Sequence, residues 1–182
     1  MTTFNFIEEY KIPKKICDGL IAYHKKNKEY KREGETHGGV DKTIKDSTDV
    51  LFYNDTNNKV IRDLFLSLTD CVNSYIKKYN FMQSHVVHTF MLNIIQHYKK
   101  GGGYKVTHYE RADRHTANRQ LVYMVYLNTL KNGGTHFPYQ NKTLNAVKGK
   151  LVIWPSDFTH PHVGVISNDE EKYIATGWFE IV

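Results

Sequence analysis

Lys148-Gly149-Lys150-Leu151-Val152-Ile153-Trp154-Pro155-Ser156-Asp157-Phe158-Thr159-His160-Pro161-His162 reads as a glycine turn, a short apolar run and a second turn that carries two imidazoles. A brief run of branched and aromatic side chains bounded by Gly and Pro is the pattern of a buried strand. Working outward from residues 150–154, comparable runs recur at 85–98, 104–110, 119–127, 143–147, 159–165 and 172–181. Gly101-Gly102-Gly103 and Asn132-Gly133-Gly134 punctuate them, because glycine reaches backbone angles closed to other residues. Strands this short and this closely spaced predict a sandwich or a barrel.

Before residue 85 the texture is helical. Pro13 is placed to open a helix bearing Ile16, Leu20 and Tyr23, since its missing amide proton would be unpaired there anyway. Val60, Ile61, Leu64, Phe65, Leu68, Cys71, Val72, Tyr75, Ile76 and Tyr79 form one apolar stripe and predict a longer helix from about Asn58 to Tyr79. Residues 28–57 are polar and aperiodic, a long excursion with one short strand around residues 50–53. The expected fold is therefore mainly β with N-terminal helices, an α+β chain whose helices pack on the larger sheet. Its 182 residues suit one packed core, so a single domain spanning 1–182 is expected, with 1–84 as a helical support and 85–182 as the β core.

The formal charge of +6 comes from 25 basic and 19 acidic residues, with part of the excess in Lys25, Lys26, Lys28, Lys31 and Arg32. Such a run reads as a solvated face, while the charge as a whole favours anionic partners. Cys17 and Cys71 stand alone within apolar patterns and read as reduced core residues. No basic start precedes an apolar run, and no stretch approaches ~18 apolar residues, so neither export nor a membrane span is expected and the cytoplasm is the default.

His108 and Glu110 are separated by one residue, which on a strand directs both side chains to one face, where they can share a cation. The same pair also fits a polar strand face in solvent. A distant histidine from Phe158-Thr159-His160-Pro161-His162 would complete two imidazoles and a carboxylate, a set that favours non-haem iron(II) with positions left open. Zinc accepts these ligands too, although it prefers closed tetrahedral sites. Lys172, Ile174, Thr176 and Trp178 share a strand face, so the Lys172 ammonium either points into an apolar pocket, where it needs an anion, or reaches solvent at the strand mouth.

Taken in order, these segments resemble the prolyl 4-hydroxylase-like branch of the iron(II)- and 2-oxoglutarate-dependent oxygenases, in the small form encoded by bacteria and phages. Tyr98-Lys99-Lys100-Gly101-Gly102-Gly103-Tyr104-Lys105-Val106-Thr107-His108-Tyr109-Glu110 is similar to the family's Tyr-x-x-Gly and His-x-acid segment. Val125-Tyr126-Leu127-Asn128, Gly133-Gly134-Thr135-His136-Phe137, Lys148 to Pro155 and Lys172 to Trp178 follow in the family's order. Two departures stand out: Glu110 takes the place of the usual Asp, and the Gly-Gly turn is one residue shorter.

The resemblance implies a double-stranded β-helix (jelly-roll, cupin-like) over residues 85–182, with iron held by His108, Glu110 and His162. His162 is preferred over His160 because the family's spacing of ten to the basic residue leads to Lys172. It further implies that Lys172, Tyr98, Tyr126 and Thr176 bind 2-oxoglutarate, that oxygen is the other co-substrate and that ascorbate serves as reductant, with no catalytic residue beyond the metal site. Arg119 and His160 are the candidate substrate contacts. The implied reaction is hydroxylation of an unactivated C–H bond with release of succinate and carbon dioxide, on a peptidyl proline or similar residue. A nucleobase or small metabolite is the alternative substrate, and a non-catalytic metal-binding β-barrel the alternative role. Nucleic acid is not favoured, because a neighbouring branch that acts on it carries Arg where this chain has Trp178. Location in the cytoplasm, that of the host if phage-encoded, is the matching expectation, and nothing in the sequence fixes an oligomeric state.

Overall fold

The computed structural model describes residues 4–80, 82, 87–89 and 92–181. In chain order these form β1 (Glu8–Lys11), α1 (Lys14–Lys26), β2 (Arg32–Glu33), β3 (Glu35–Thr36), β4 (Gly39–Val40), β5 (Lys45–Asp46), β6 (Thr48–Phe52) and α2 (Lys59–Lys78). There follow β7 (Val87–Thr89), β8 (Asn93–Tyr98), β9 (Gly103–Tyr104), β10 (Arg119–Tyr126), β11 (Thr135–Phe137), β12 (Lys142–Leu144), β13 (Lys150–Pro155), β14 (Val163–Gly164) and β15 (Lys172–Ile181). The chain is mostly β with two α-helices among the described residues. No helix among them is long and apolar enough to cross a membrane.

An eight-stranded antiparallel sheet runs in the order β1-β13-β10-β15-β8-β6-β2, with β7 also pairing β15, and a three-stranded sheet runs β12-β11-β14. Side chains alternate across a strand, so the central strands serve two layers at once. Leu121, Tyr123 and Val125 of β10, Leu151 and Ile153 of β13 and Tyr173 and Ala175 of β15 pack on Ile16, Cys17 and Leu20 of α1 and Leu64, Leu68 and Val72 of α2. The intervening Val122, Met124, Tyr126, Val152, Trp154, Ile174 and Trp178 face the other way, toward Phe137 and Leu144 of the small sheet. Each buried aliphatic side chain of the helical stripe contributes ~1.5–3 kcal/mol, so the helix-backed layer supplies much of the stability. Asn58 starts α2 as its sequence suggests, its side-chain oxygen accepting from the amides of Val60 and Ile61. Cys17 and Cys71 are buried free thiols.

Beyond the short strand expected around residues 50–53, which overlaps β6, the N-terminal region carries sheet strands that the helical reading does not include. Residues 8–11 form an edge strand beside β13, and residues 32–52 supply β2 and β6 to the other edge of the same sheet. Glu8-Glu9-Tyr10-Lys11 half-buries alternate side chains only, so its pairing rests on backbone bonds that leave no apolar run to read. Several expected strands are also shorter. Of 104–110 only Gly103–Tyr104 pairs continuously, and His108 forms an isolated bridge with His162. The stretch 159–165 contracts to Val163–Gly164, and 143–147 becomes Lys142–Leu144. From 85–98 come β7 and β8, while residues 85, 86, 90 and 91 lie outside the described residues, as do Met1 to Thr3 of the N-terminal start.

Gly134 shows why the Gly-Gly turn tolerates nothing larger: a Cβ there would sit 1.6 Å from the backbone carbonyl oxygen of Leu144. Gly134→Ala is therefore expected to lower unfolding free energy by at least ~2 kcal/mol, because backbone must move to admit the methyl. Gly38→Ala, whose Cβ would meet only the Thr36 hydroxyl at 3.8 Å, should stay within ~0.5 kcal/mol of the parent in the same urea titration.

Candidate active site

Residues 108–111 lie alongside 156–162, and that pairing assembles the site. The amide of His108 donates to the carbonyl of His162 at 3.0 Å and the amide of His162 to the carbonyl of His108 at 2.8 Å. The amides of Glu110 and Arg111 both donate to the carbonyl of Ser156, and the Arg111 guanidinium grips both oxygens of Asp157 at 2.8 Å. A bidentate pair of this kind fixes direction as well as distance. The Ser156 hydroxyl in turn donates to the carbonyl of Arg119, tying both segments to the start of β10.

His108, Glu110 and His162 offer one ligand atom each, all within 4.8 Å of one another, the only such group among the described residues. Glu110 Oε1 is 3.5 Å from Nε2 of His108 and 3.5 Å from Nε2 of His162. The other ring nitrogens are already committed: Nδ1 of His108 donates to the Val106 carbonyl at 3.0 Å and Nδ1 of His162 to the His160 carbonyl at 3.1 Å. Nδ1–H donation fixes the tautomer and leaves both Nε2 lone pairs facing Glu110. Tyr104 stacks on the His108 ring at 3.6 Å and Trp154 meets the His162 ring edge-on at 5.0 Å, so neither imidazole is free to turn. Burial pushes the Glu110 carboxyl up, yet hydrogen-bond donation and positive charge from the His108 and His162 rings, while no cation occupies their Nε2 atoms, outweigh it and hold the group well below the usual carboxylate range. Two neutral nitrogens and one carboxylate oxygen converging in this way fit iron(II).

The same three side chains open on a cleft of about 490 Å³ whose inner wall includes Lys172, Tyr98, Tyr126, Thr135, Ile174 and Thr176. Lys172 is 5% exposed. Its ammonium donates to the Val165 carbonyl at 3.3 Å and lies 5.1 Å from the Tyr98 ring centre. Burial pushes its pKa down to about 8, with no carboxylate of the described residues to offset the loss of water. A buried cation of this kind calls for an anionic ligand, and a dicarboxylate reaching from the metal cluster fits it. Around it, Tyr98 donates to Gln96 Oε1 at 2.7 Å, Tyr126 shares a 2.7 Å hydrogen bond with Thr135, and Thr176 donates to the Tyr123 carbonyl at 2.9 Å. A Cβ on Gly164 would come within 3.5 Å of the Lys172 ammonium, so glycine there keeps the approach open.

Of the two residues read as substrate contacts, Arg119 is in the cleft lining and His160 is not. His160 sits in a turn, its amide donating to Asp157, and does not continue a strand face with His162. Its Nε2 is 2.9 Å from the Asn5 carbonyl and its ring packs on Phe6, away from the cleft lining. Arg119 does line the cleft, but its guanidinium lies 3.6 Å over the Trp178 ring, with Nη1 donating to the Glu110 carbonyl at 3.1 Å and 3.5 Å from Glu110 Oε2. Trp178 itself donates from Nε1 to Glu110 Oε2 at 3.1 Å. Its place on the Lys172 face was visible in the alternation of β15; its bond to Glu110 was not. The excursion of residues 28–57 contributes Arg32, Glu35, His37 and Lys45 to the cleft wall, with Lys45 buried against Asp49 at 2.7 Å.

Comparison with known proteins agrees with this geometry. Residues 94–180 match the 2OG-Fe(II) oxygenase superfamily. The viral collagen prolyl hydroxylase of Paramecium bursaria Chlorella virus-1, solved as its 2OG complex, is similar in structure with a TM-score of 0.73 at 21% identity, covering 98% of this chain and 97% of that one. A Pseudomonas putida prolyl-4-hydroxylase follows at 0.72 and 17% identity, with 96% and 92% coverage. A Trichoplax adhaerens prolyl hydroxylase, in complex with a peptide fragment of the hypoxia inducible factor oxygen degradation domain, reaches 0.72 at 16% identity, with 97% and 84% coverage. No curated protein matches the chain. Residues 94–180 are thus similar to the 2OG-Fe(II) oxygenase superfamily, whose dioxygenases use iron(II), 2-oxoglutarate and oxygen, and the chain shares the fold of the prolyl hydroxylases.

Proposed function

We propose that the protein hydroxylates an unactivated C–H bond of a peptidyl proline or a similar residue, as one domain built on a double-stranded β-helix formed by its large and small sheets. The observation that carries this reading is one cleft with a His-Glu-His cluster near its mouth and a buried, uncompensated lysine on its inner wall. The structural relatives include prolyl hydroxylases for collagen and for a peptide fragment, which supports a peptide as the substrate here.

In this reading His108, Glu110 and His162 hold iron(II) through Nε2, a carboxylate oxygen and Nε2. Iron(II) with oxygen and 2-oxoglutarate supplies the oxidising power for C–H hydroxylation, and the keto acid leaves as succinate and carbon dioxide. The protein's work is positioning. Lys172 pairs with the far carboxylate of 2-oxoglutarate and sets its orientation, with the Tyr126 and Tyr98 hydroxyls and Thr176 lining its path. The Val106 and His160 carbonyls accept from Nδ1 of the two rings, which fixes their orientation and turns each Nε2 toward the place a cation would take. Ile174, Met124 and Trp154 line the cleft with apolar surface that excludes water from the reacting centre. Glu35, His37 and Asp113 also line the cleft, with His37 Nδ1 3.2 Å from Asp113 Oδ2.

With iron(II), ascorbate and 1-labelled 2-oxoglutarate, the purified protein is expected to release labelled carbon dioxide, and His108→Ala to release none above background. Proline-containing peptides should stimulate that release and gain one oxygen atom by mass spectrometry. Release that depends on His108 but is stimulated only by nucleosides or small metabolites would replace the peptide substrate and keep the enzyme class.

Lys172 gives a second test that needs no turnover. The unfolded chain keeps this proton up to its ordinary pKa of 10.5, the folded chain only to about 8, so burial penalises folding in full below pH 8 and the penalty fades between pH 8 and 10.5. Lys172→Met is therefore expected to stabilise the ligand-free protein at pH 7 by about 3 kcal/mol, with the gain vanishing toward pH 10.5 in chemical denaturation. The same variant should lose the thermal stabilisation that 2-oxoglutarate with Co(II) gives the parent. A Lys172→Met protein that still responds to 2-oxoglutarate would remove Lys172 as the anchor.

A further inference from the structure

We infer that Trp178 and Arg119 are positioning residues that make Glu110 a one-oxygen ligand, an inference that rests on reading His108, Glu110 and His162 as the metal site. The two oxygens of Glu110 have different surroundings. Oε1 is the atom 3.5 Å from both imidazole Nε2 atoms, whereas Oε2 accepts from the Trp178 indole at 3.1 Å and lies 3.5 Å from Arg119 Nη1. One oxygen is thus turned to the cation and the other is held by nitrogen donors of the protein.

A three-ligand set keeps positions open for co-substrates only while each ligand gives a single atom. Glutamate endangers that condition more than aspartate. Its extra methylene adds a rotatable bond and lets the carboxylate swing until both oxygens reach the metal. The Trp178 hydrogen bond removes this freedom by fixing Oε2.

Trp178 can do so because it is itself immobile. It is 8% exposed and stands in β15, opposite Val122 in the β10 register. The guanidinium of Arg119 caps its outer face at 3.6 Å, while Nη1 donates to the Glu110 main-chain carbonyl at 3.1 Å. That main chain is fixed in turn by the Glu110 amide on Ser156. Main chain and side chain of Glu110 are therefore clamped from the same direction. This assigns Arg119 to the metal ligand rather than to substrate, and explains why an indole lies beside a carboxylate that is otherwise surrounded by imidazoles.

The test is a double-mutant cycle read by Co(II) binding, using the visible absorption of the bound ion. Trp178→Phe keeps the ring and deletes the donor; in the Glu110 background it should weaken Co(II) binding about tenfold or more and alter the ligand-field spectrum. In Glu110→Asp the shorter carboxylate no longer reaches the indole, so adding Trp178→Phe should change affinity less than about twofold, well short of a full outer-shell effect. Arg119→Gln, crossed with Glu110→Asp in the same way, should lose more affinity in the Glu110 background than in the Glu110→Asp one, although its bond to the main-chain carbonyl of residue 110 persists in both, and it carries the test alone if Trp178→Phe fails to melt cooperatively. Equal losses in both backgrounds would mark Trp178 and Arg119 as general packing and overturn the inference, as would unchanged affinity in both single variants. A parent that binds no Co(II), or a His108→Ala variant that binds it equally well, would instead overturn the metal reading and this inference with it.

Discussion

Two backbone hydrogen bonds between His108 and His162 close the site, and most of its chemistry depends on them. Neither residue belongs to a long strand; each lies where a strand has given way to an irregular segment, and the bridge is an isolated one. Such a contact cannot be stable alone, because fixing two remote irregular segments costs ~1–2 kcal/mol per ordered residue in backbone entropy. Its neighbours hold it: the Ser156 carbonyl accepting two amides, the Arg111 fork on Asp157, and β13 leading in from the large sheet between β1 and β10. The metal cluster therefore sits at the end of a rigid ladder, where side chains leave the sheet but the backbone remains pinned.

The large sheet divides labour between its faces. On one face, aliphatic and aromatic residues meet two amphipathic helices, with the Tyr123 hydroxyl donating to Asn93 within that layer. On the other, the same strands present Lys172, Thr176, Trp178, Met124 and Tyr126 to the cleft. A buried ammonium and a buried carboxylate are both destabilising, and a protein of this size has only ~5–15 kcal/mol to spare. The helix-backed face offsets that cost, which is a physical reason for helices that touch no part of the site.

Alternation and spacing made part of this legible in the sequence. His108 and Glu110 one residue apart, and Lys172, Thr176 and Trp178 two or four apart, could be assigned to common faces because a strand has period two. The helical stripe from Val60 to Tyr79 was legible for the same kind of reason, with period 3.6. What stayed hidden was set by turns and edges. Glu8–Lys11 and Arg32–Glu33 are short polar edge strands whose pairing is mostly backbone. His160 looked equivalent to His162 only if the strand continued, and the turn at Asp157 sends it to Asn5 and Phe6 instead. Arg119 was attributed to substrate because its partners, Trp178 and Glu110, come from elements that no local pattern links. Tyr104 against His108 was out of reach too, since the three residues between them follow neither a helix nor a strand.

The charges left in the cleft explain why cofactor and co-substrate would be taken up together. Glu110 is an anion set between two imidazoles and the Arg119 guanidinium, while Lys172 is a cation held by a carbonyl and an aromatic face with no carboxylate beside it. A divalent cation alone would satisfy Glu110 but leave excess positive charge beside the lysine. A dianion alone would satisfy Lys172 but meet the Glu110 carboxylate. Cation and dianion bound together, one at each end, would leave the net charge of the cleft unchanged, because their charges cancel. In a water-poor pocket, where unbalanced charge is costly, that arithmetic couples the two binding events and selects a ligand with carboxylates at both ends.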